Sequence, residues 1–445
     1  MSDMITKKNL NEFLFFFILL WIVLINFHFS FSKYISFYKE FFFVFFFIIS
    51  CWYIFNFKFK FYNLIIKSEI YIFFIPYLFF LLIIIFNSGP LDPEYLKSSN
   101  KLSLDTSNYF LIAYVVRNFI IFMPIVLYLS LRGLTEIEMR KMLFLFYYTG
   151  FLGYLCKDAY NLVNLDCSFY EYIYNYNLYS YNNTYSPYLT GIYFIGFYLG
   201  LTEKRFFYFF LISLILSLTL FLIFFGAGKA TILFCLLILL FYFLVNLKNA
   251  KFYKIIALNF LLFFLMDIAI NKFHKYHQNE FVLGDNSKQV PNTYLPSDNF
   301  VYPIFNKNTN RMATVSLRAQ IYKEFFNYAG NINDKKVFFF GQGSLTSIFS
   351  GLHNDYFRIF YRTGFFGLIL SFFPLLYFFF KYLFISYKNF FYKKRKDLYY
   401  LFFWFSAFIP YYSLFQYPRE DVFQSTIFWF GFALIYGHNK TTLKR

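Results

Sequence analysis

The run Gly351-Leu352-His353-Asn354-Asp355-Tyr356-Phe357-Arg358-Ile359-Phe360-Tyr361-Arg362-Thr363-Gly364 gathers several reactive side chains in a short stretch of this 445-residue chain. Asn354 and Asp355 are both good helix N-caps, because their short side chains accept from the free N–H groups of a first turn. A helix begun there sets Arg358 and Arg362 four apart on one face, with His353 just ahead of the cap. Guanidiniums bind phosphate oxygens in bidentate fashion. Like charge beside an imidazole favours its neutral form, which could take a proton from a sugar hydroxyl at neutral pH. The group would suit a lipid-linked pyrophosphate as substrate. A plainer reading serves the same residues: a capped helix, arginines snorkelling to phospholipid headgroups and a solvated His353.

Upstream, 271–306 carries Gly284, Pro291, Pro296 and Pro303 among polar residues and reads as irregular. From Asn310 to Tyr328 the pattern turns helical, with Arg311 and Arg318 seven apart and so on one face. Val337 to Phe340 reads as a short extended apolar run that ends in the turn Gly341-Gln342-Gly343.

These segments must be carried by a membrane scaffold. With 59 % hydrophobic and 14 % charged residues, the chain is far poorer in charge than soluble domains, which run near one-quarter. Apolar runs at about 13–32, 41–57, 70–87, 109–131, 142–160, 187–201, 206–225, 230–247, 255–270, 363–382, 398–415 and 422–436 read as membrane helices. The expected fold is therefore an all-α polytopic membrane protein with about twelve transmembrane helices. Helices one to nine occupy 1–270, a large outer loop with the reactive segment occupies 271–362, and helices ten to twelve with a cytoplasmic C-terminus occupy 363–445. The first run follows Lys7 and Lys8, lacks a small-residue cleavage site, and reads as a retained anchor.

The net charge of +18 is spread between apolar runs, which argues against nucleic acid as a partner. With the N-terminus inside, 22 Lys and Arg fall in cytoplasmic segments and 7 in short outer ones, Arg117 lying within a span. That bias places both termini in the cytoplasm and the long loop outside. Lys393-Lys394-Arg395-Lys396 is a topology determinant that contacts anionic membrane lipids. Arg117 is costly in mid-span; it either lines a substrate cavity or pairs with Asp267 or Asp158. The tyrosines between 169 and 188 fit an interfacial aromatic belt or a surface that stacks on sugars.

Other motifs fail on their spacing. Gly226-Ala227-Gly228-Lys229-Ala230 lacks the first glycine and the Ser or Thr of a nucleotide-binding loop. His274, His277 and Glu280 have helical spacing but no convincing fourth ligand, so no metal is expected. Cys51, Cys156, Cys167 and Cys235 imply no disulfide framework.

His353-Asn354-Asp355-Tyr356 followed by Gly364-Phe365-Phe366-Gly367-Leu368 resembles the C-terminal signature of the O-antigen polymerase and O-antigen ligase superfamily. Arg318 with Tyr322 four on, and Phe340-Gly341-Gln342-Gly343, are similar to that family's preceding segments. The motif content is confined to about 311–368. Members often carry a Ser-Arg pair after the outer turn between spans seven and eight; here Lys229 would supply that charge. The resemblance implies a glycosyltransferase of the bacterial inner membrane that needs no metal, nucleotide or other cofactor. Its donor would be an undecaprenyl-pyrophosphate-linked oligosaccharide. His353 would be catalytic, with Arg318, Arg311, Arg358, Arg362, Lys229 and Arg117 holding the pyrophosphate and Asn354 and Asp355 in support. A chain-length regulator is a further implied partner. The expected activity is polymerisation of surface-polysaccharide repeat units on the periplasmic face. The alternatives are a ligase that transfers glycan to lipid A core and, in another class, a glycan-lipid flippase.

Overall fold

The structure is a computed structural model that describes residues 2–27, 44, 47–48, 70–87, 123–164, 182–225, 229–246, 249–281, 322–343, 354–391, 397–414 and 422–442. Among these residues every regular element is a helix, with no strand. In chain order the helices are α1 (Ser2–Asn26), α2 (Ile70–Asn87), α3 (Met123–Arg132), α4 (Glu136–Asn164), α5 (Asn182–Thr202), α6 (Phe206–Phe225), α7 (Lys229–Val245) and α8 (Ala250–Phe281). They continue with α9 (322–330), α10 (Lys335–Phe340), α11 (Asp355–Phe391), α12 (Asp397–Tyr412) and α13 (Val422–Thr442).

Most of the expected apolar runs coincide with these helices. The run at 41–57, apart from three residues, and the first part of that at 109–131 lie outside the described residues. Three boundaries differ from the sequence reading. Residues 337–340 are helical, not extended, because Asp334 caps α10 by accepting from the Lys336 N–H at 2.8 Å. Residues 271–281, which read as irregular, continue helix α8, which runs on to Phe281. Helix α5 starts at Asn182, five residues ahead of the apolar run expected from 187.

The chain divides into two units, residues 1–154 with 323–445 and residues 155–322. In the first, α11 packs on α2, α10 and α12, while α13 packs on α3 and α12. Aromatic rings fill this core. Phe73 of α2 lies 5.3 Å from both Trp429 and Phe432, Phe378 of α11 meets Phe432 at 5.2 Å, and Phe146 of α4 stacks on Phe430 at 4.3 Å. Each such pair adds about 0.5–1.5 kcal/mol beyond the area it buries. Helix α4 opens on a reciprocal capping box. The Glu138 N–H donates to the Thr135 hydroxyl at 3.2 Å and the Thr135 N–H to the Glu138 carboxylate at 3.0 Å, with Arg132 paired to Glu138 at 2.5 Å.

In the second unit α5 and α6 pack together and α8 lies against both. Tyr193, Phe197, Tyr242 and Phe252 are buried there. A buried polar pair joins α6 to α8, the Ser217 hydroxyl donating to Asn259 Oδ1 at 2.6 Å.

Several helices are apolar on both faces. Helix α11 buries Phe372, Leu375, Phe378 and Tyr382 and exposes Phe366, Ile369, Phe373, Leu376, Phe380 and Phe384. Helix α2 exposes Tyr71, Ile75, Phe79, Leu82 and Phe86 at the same three-to-four spacing. A helix on the surface of a soluble protein carries polar residues on its outer face. Among the described residues, Phe206–Ile223 and Asp355–Lys388 are long and apolar enough to cross a membrane.

Candidate functional site

The reactive segment enters α11 through Asn354. Its Oδ1 accepts from the Phe357 N–H at 3.1 Å, the N-cap geometry, and its Nδ2 donates to the Leu414 carbonyl at 3.2 Å. Asp355 donates its N–H to the Ser413 carbonyl at 2.8 Å and receives the Ser413 hydroxyl at 3.4 Å. Tyr356 donates to the Pro410 carbonyl at 2.9 Å and stacks on Phe372 at 3.9 Å. The last turn of α12 and the residues after it supply carbonyls that their own helix leaves without a following donor. The start of α11 supplies donors, and the two ends are joined. Asp355 is fully buried at the first turn of α11.

Nine residues later α11 breaks. Gly364 has φ 65° and ψ −166°, a conformation open in practice only to glycine. The break deprives the carbonyls of 360–363 of regular helical partners. Two of them are taken by the turn after α10: the Gln342 N–H donates to the Tyr361 carbonyl at 2.8 Å and the Gly343 N–H to the Arg362 carbonyl at 3.0 Å. Gly341, at φ 80°, ends α10 by donating to the Val337 carbonyl at 2.8 Å. The two glycines meet. A Cβ on Gly341 would lie 2.3 Å from the Arg362 carbonyl carbon, and one on Gly364 would lie 2.4 Å from that of Phe339. Only two Cα hydrogens let the two backbones come so near.

Rings brace the arrangement. Phe325 of α9 stacks on Phe357 at 4.1 Å, Phe338 of α10 meets Phe360 at 5.9 Å and stacks on Phe365 at 5.8 Å, and Phe339 stacks on Phe366 at 5.0 Å. Tyr328 lies 5.1 Å from Tyr361. Burial pushes the Tyr328 phenol above its ordinary value, against a hydrogen bond with Gln342 that pulls the other way. On the short helix 355–363, Arg358 is half-buried and Arg362 only 3 % exposed. At that burial Arg362 does not snorkel. A charge so enclosed costs several kcal/mol, roughly, unless other groups compensate it.

The structure thus brings together four of the residues singled out by sequence: Asn354, Asp355, Arg358 and Arg362. Asn354, not Asp355, is the cap. Lys229 begins α7, a helix N-terminus, and nothing further is described of its side chain. His353, Arg311, Arg318 and Arg117 lie outside the described residues, as do the structural surroundings of the Arg117 span. His353 directly precedes the cap in sequence.

Sequence reasoning missed the role of Ser413, and it missed Asn87. The Asn87 amide, at the end of α2, donates to the Phe340 carbonyl. Nothing local in Phe86-Asn87-Ser88 signals that contact, because its partner lies 253 residues away. Among the described residues no three His, Cys, Asp or Glu side chains come together as a metal site. Compared with protein-family models, with curated proteins and with solved structures, the chain matches none.

Proposed function

We propose that the chain is a multi-pass glycosyltransferase of the bacterial inner membrane, a surface-polysaccharide polymerase that joins undecaprenyl-pyrophosphate-linked repeat units on the periplasmic face. One observation carries the reading. The two segments that resemble the polymerase and ligase superfamily, 340–343 and 353–368, are bonded backbone to backbone, with the buried Arg362 on the shared stretch. A pair of segments joined in this way suits a site better than two unrelated loops.

The membrane part of the proposal rests on the exposed apolar faces of α2 and α11. From Gly364 to Lys381 is about 26 Å of helix at 1.5 Å per residue, close to a hydrocarbon core of about 30 Å. Lys381 at the inner end lies over the rings of Tyr377 and Phe378 at 6.0 and 5.9 Å, the posture of a cation at a membrane boundary. On this reading the chain has about twelve spans, with both termini in the cytoplasm.

The chemistry is a single displacement. His353 takes the proton of the acceptor hydroxyl as its oxygen attacks the anomeric carbon of the donor sugar. The bond from that carbon to the pyrophosphate breaks, and undecaprenyl pyrophosphate leaves with the electron pair. Arg358, Arg362 and Arg318 offset its developing charge, which fixed cations do at little reorganisation cost. The anomeric configuration inverts. The test is elongation of a purified lipid-linked repeat unit by the purified protein without nucleotide. His353→Ala should lower the rate by about 10²–10⁴, the usual worth of a general base. A variant that inserts at normal levels and builds full-length polymer at the wild-type rate would refute the assignment.

A further inference from the structure

The geometry points to Asn87 as a positioning residue of this site: through the turn at 341–343 it holds the short helix that carries Arg358 and Arg362 in the register that a lipid-linked pyrophosphate needs. The inference rests on the proposed function and adds to it a residue from another part of the chain.

Apart from the Asn87 side-chain amide, each contact in the chain of action is on the backbone. The Asn87 amide donates to the Phe340 carbonyl, the last of α10. Its own carbonyl lies against Gly343, whose φ is 75° and where a Cβ would meet that oxygen. Gln342 and Gly343, two and three residues after Phe340, donate to the carbonyls of Tyr361 and Arg362. Gly341 and Gly364 close the same interface face to face. Helix α2 in turn packs along α11, so the amide that grips the turn is mounted on the helix flanking the span that follows the kink. The turn is held on one side by Asn87 and on the other holds Arg362. A guanidinium pair binds a pyrophosphate well only when both forks keep fixed spacing and direction. Arg358 and Arg362 share one rigid turn, and what sets that turn against the rest of the site is the 341–343 contact.

The test uses Asn87→Ala and Asn87→Asp in the full chain, reconstituted in lipid nanodiscs. Asn87 is half-exposed, and Asp keeps the shape while losing the donor. Two readouts are taken. Hydrogen exchange at the Gln342 and Gly343 amides should quicken at least ten-fold in both variants, with exchange in α12 and α13 unchanged. Equilibrium binding of undecaprenyl pyrophosphate should weaken about ten-fold and lose part of its dependence on salt, and KM for the lipid-linked repeat unit should rise more than kcat falls. Unchanged exchange at both amides would overturn the clamp. Faster exchange with unaltered binding and KM would overturn the positioning role. If the wild-type protein neither binds undecaprenyl pyrophosphate nor elongates the donor, the functional reading falls, and with it the ligand assigned to Arg358 and Arg362; the exchange result then still decides whether Asn87 holds the turn.

Discussion

Replacing Gly364 with alanine probes the reciprocal contact at the kink, and two separate costs add there. At φ 65° and ψ −166° a side chain is strained by about 1–3 kcal/mol. The new Cβ would also lie 2.4 Å from the Phe339 carbonyl carbon and 2.5 Å from both its oxygen and the Phe340 nitrogen. These are backbone atoms that cannot rotate away, so the segments must part, at the roughly 1–3 kcal/mol typical of overpacking. The sum is about 2–6 kcal/mol, a large share of the roughly 5–15 kcal/mol that holds a typical domain folded. Gly341→Ala is strained in the same way, at φ 80° and with the Arg362 carbonyl carbon at 2.3 Å. Both act on one interface. Once either alanine has pushed the segments apart, the second meets less, so the double variant should be milder than the sum by about 0.5–3 kcal/mol. Gly330→Ala is the control, since nothing lies within 4 Å of a Cβ there. The measurement is equilibrium unfolding of the full chain in detergent micelles. A Gly364→Ala protein as stable as Gly330→Ala, or strict additivity of the two glycine variants, would refute the reasoning.

Asn354→Ala removes a cap and the bond to the Leu414 carbonyl, and should destabilise by about 1–2 kcal/mol; Asn354→Asp keeps the capping oxygen and should fall between, in the same unfolding measurement. Burial alone would raise the Glu138 carboxyl, but bonds from Thr135 and the Arg132 guanidinium outweigh it and hold the group below its ordinary value. The folded state therefore favours the carboxylate, a contribution present above the unfolded value and lost as pH falls through the lower folded one. Stability of Glu138→Gln should accordingly fall less than that of the wild type across that acid range; identical acid limbs would refute the linkage. Asn259→Ala takes away one of the two acceptors that share the single Ser217 hydroxyl proton, leaving the Ser213 carbonyl at 2.8 Å to take it alone. The expected cost of the lost bond is about 0.6–2 kcal/mol, and a variant as stable as the wild type would count against it.

What the sequence disclosed of this fold was local. Long apolar runs became helices, the cap before Tyr356 formed, and Arg358 and Arg362 took the four-residue spacing that places them on one face. The kink at Gly364 escaped because apolar and aromatic residues continue across it with no break in pattern. Residues 337–340 looked extended because β-branched and aromatic residues favour strands, whereas the Asp334 cap and the contact with α11 decide the matter in favour of helix. The burial of Arg362 and the grip of Asn87 depend on segments far apart in the chain, and no window of sequence contains both partners. The aromatic excess, which composition left without a reason, has in part a packing answer. Rings of α2, α4 and α11 interlock with those of α13 where aliphatic residues would ordinarily fill the core.

The break in α11 also has a length argument behind it. Unbroken, 37 residues would make a rod of roughly 55 Å at 1.5 Å each, nearly twice the roughly 30 Å of a hydrocarbon core. Residues 355–363 carry Asp355, Arg358 and Arg362, which lipid would not accept, and residues 365–380 carry no charge at all. Gly364 stands between the two compositions. A continuous helix would tie the direction of the arginines to the tilt of the span, so that each adjustment to bilayer thickness would move the site. A break alone would free the short helix but leave it unheld. The break together with the turn at 341–343 separates the two parts and then fixes the first to α10 and, through Asn87, to α2. On the proposed function, that is how one helix can fit the bilayer while the short helix with Arg358 and Arg362 keeps its own orientation.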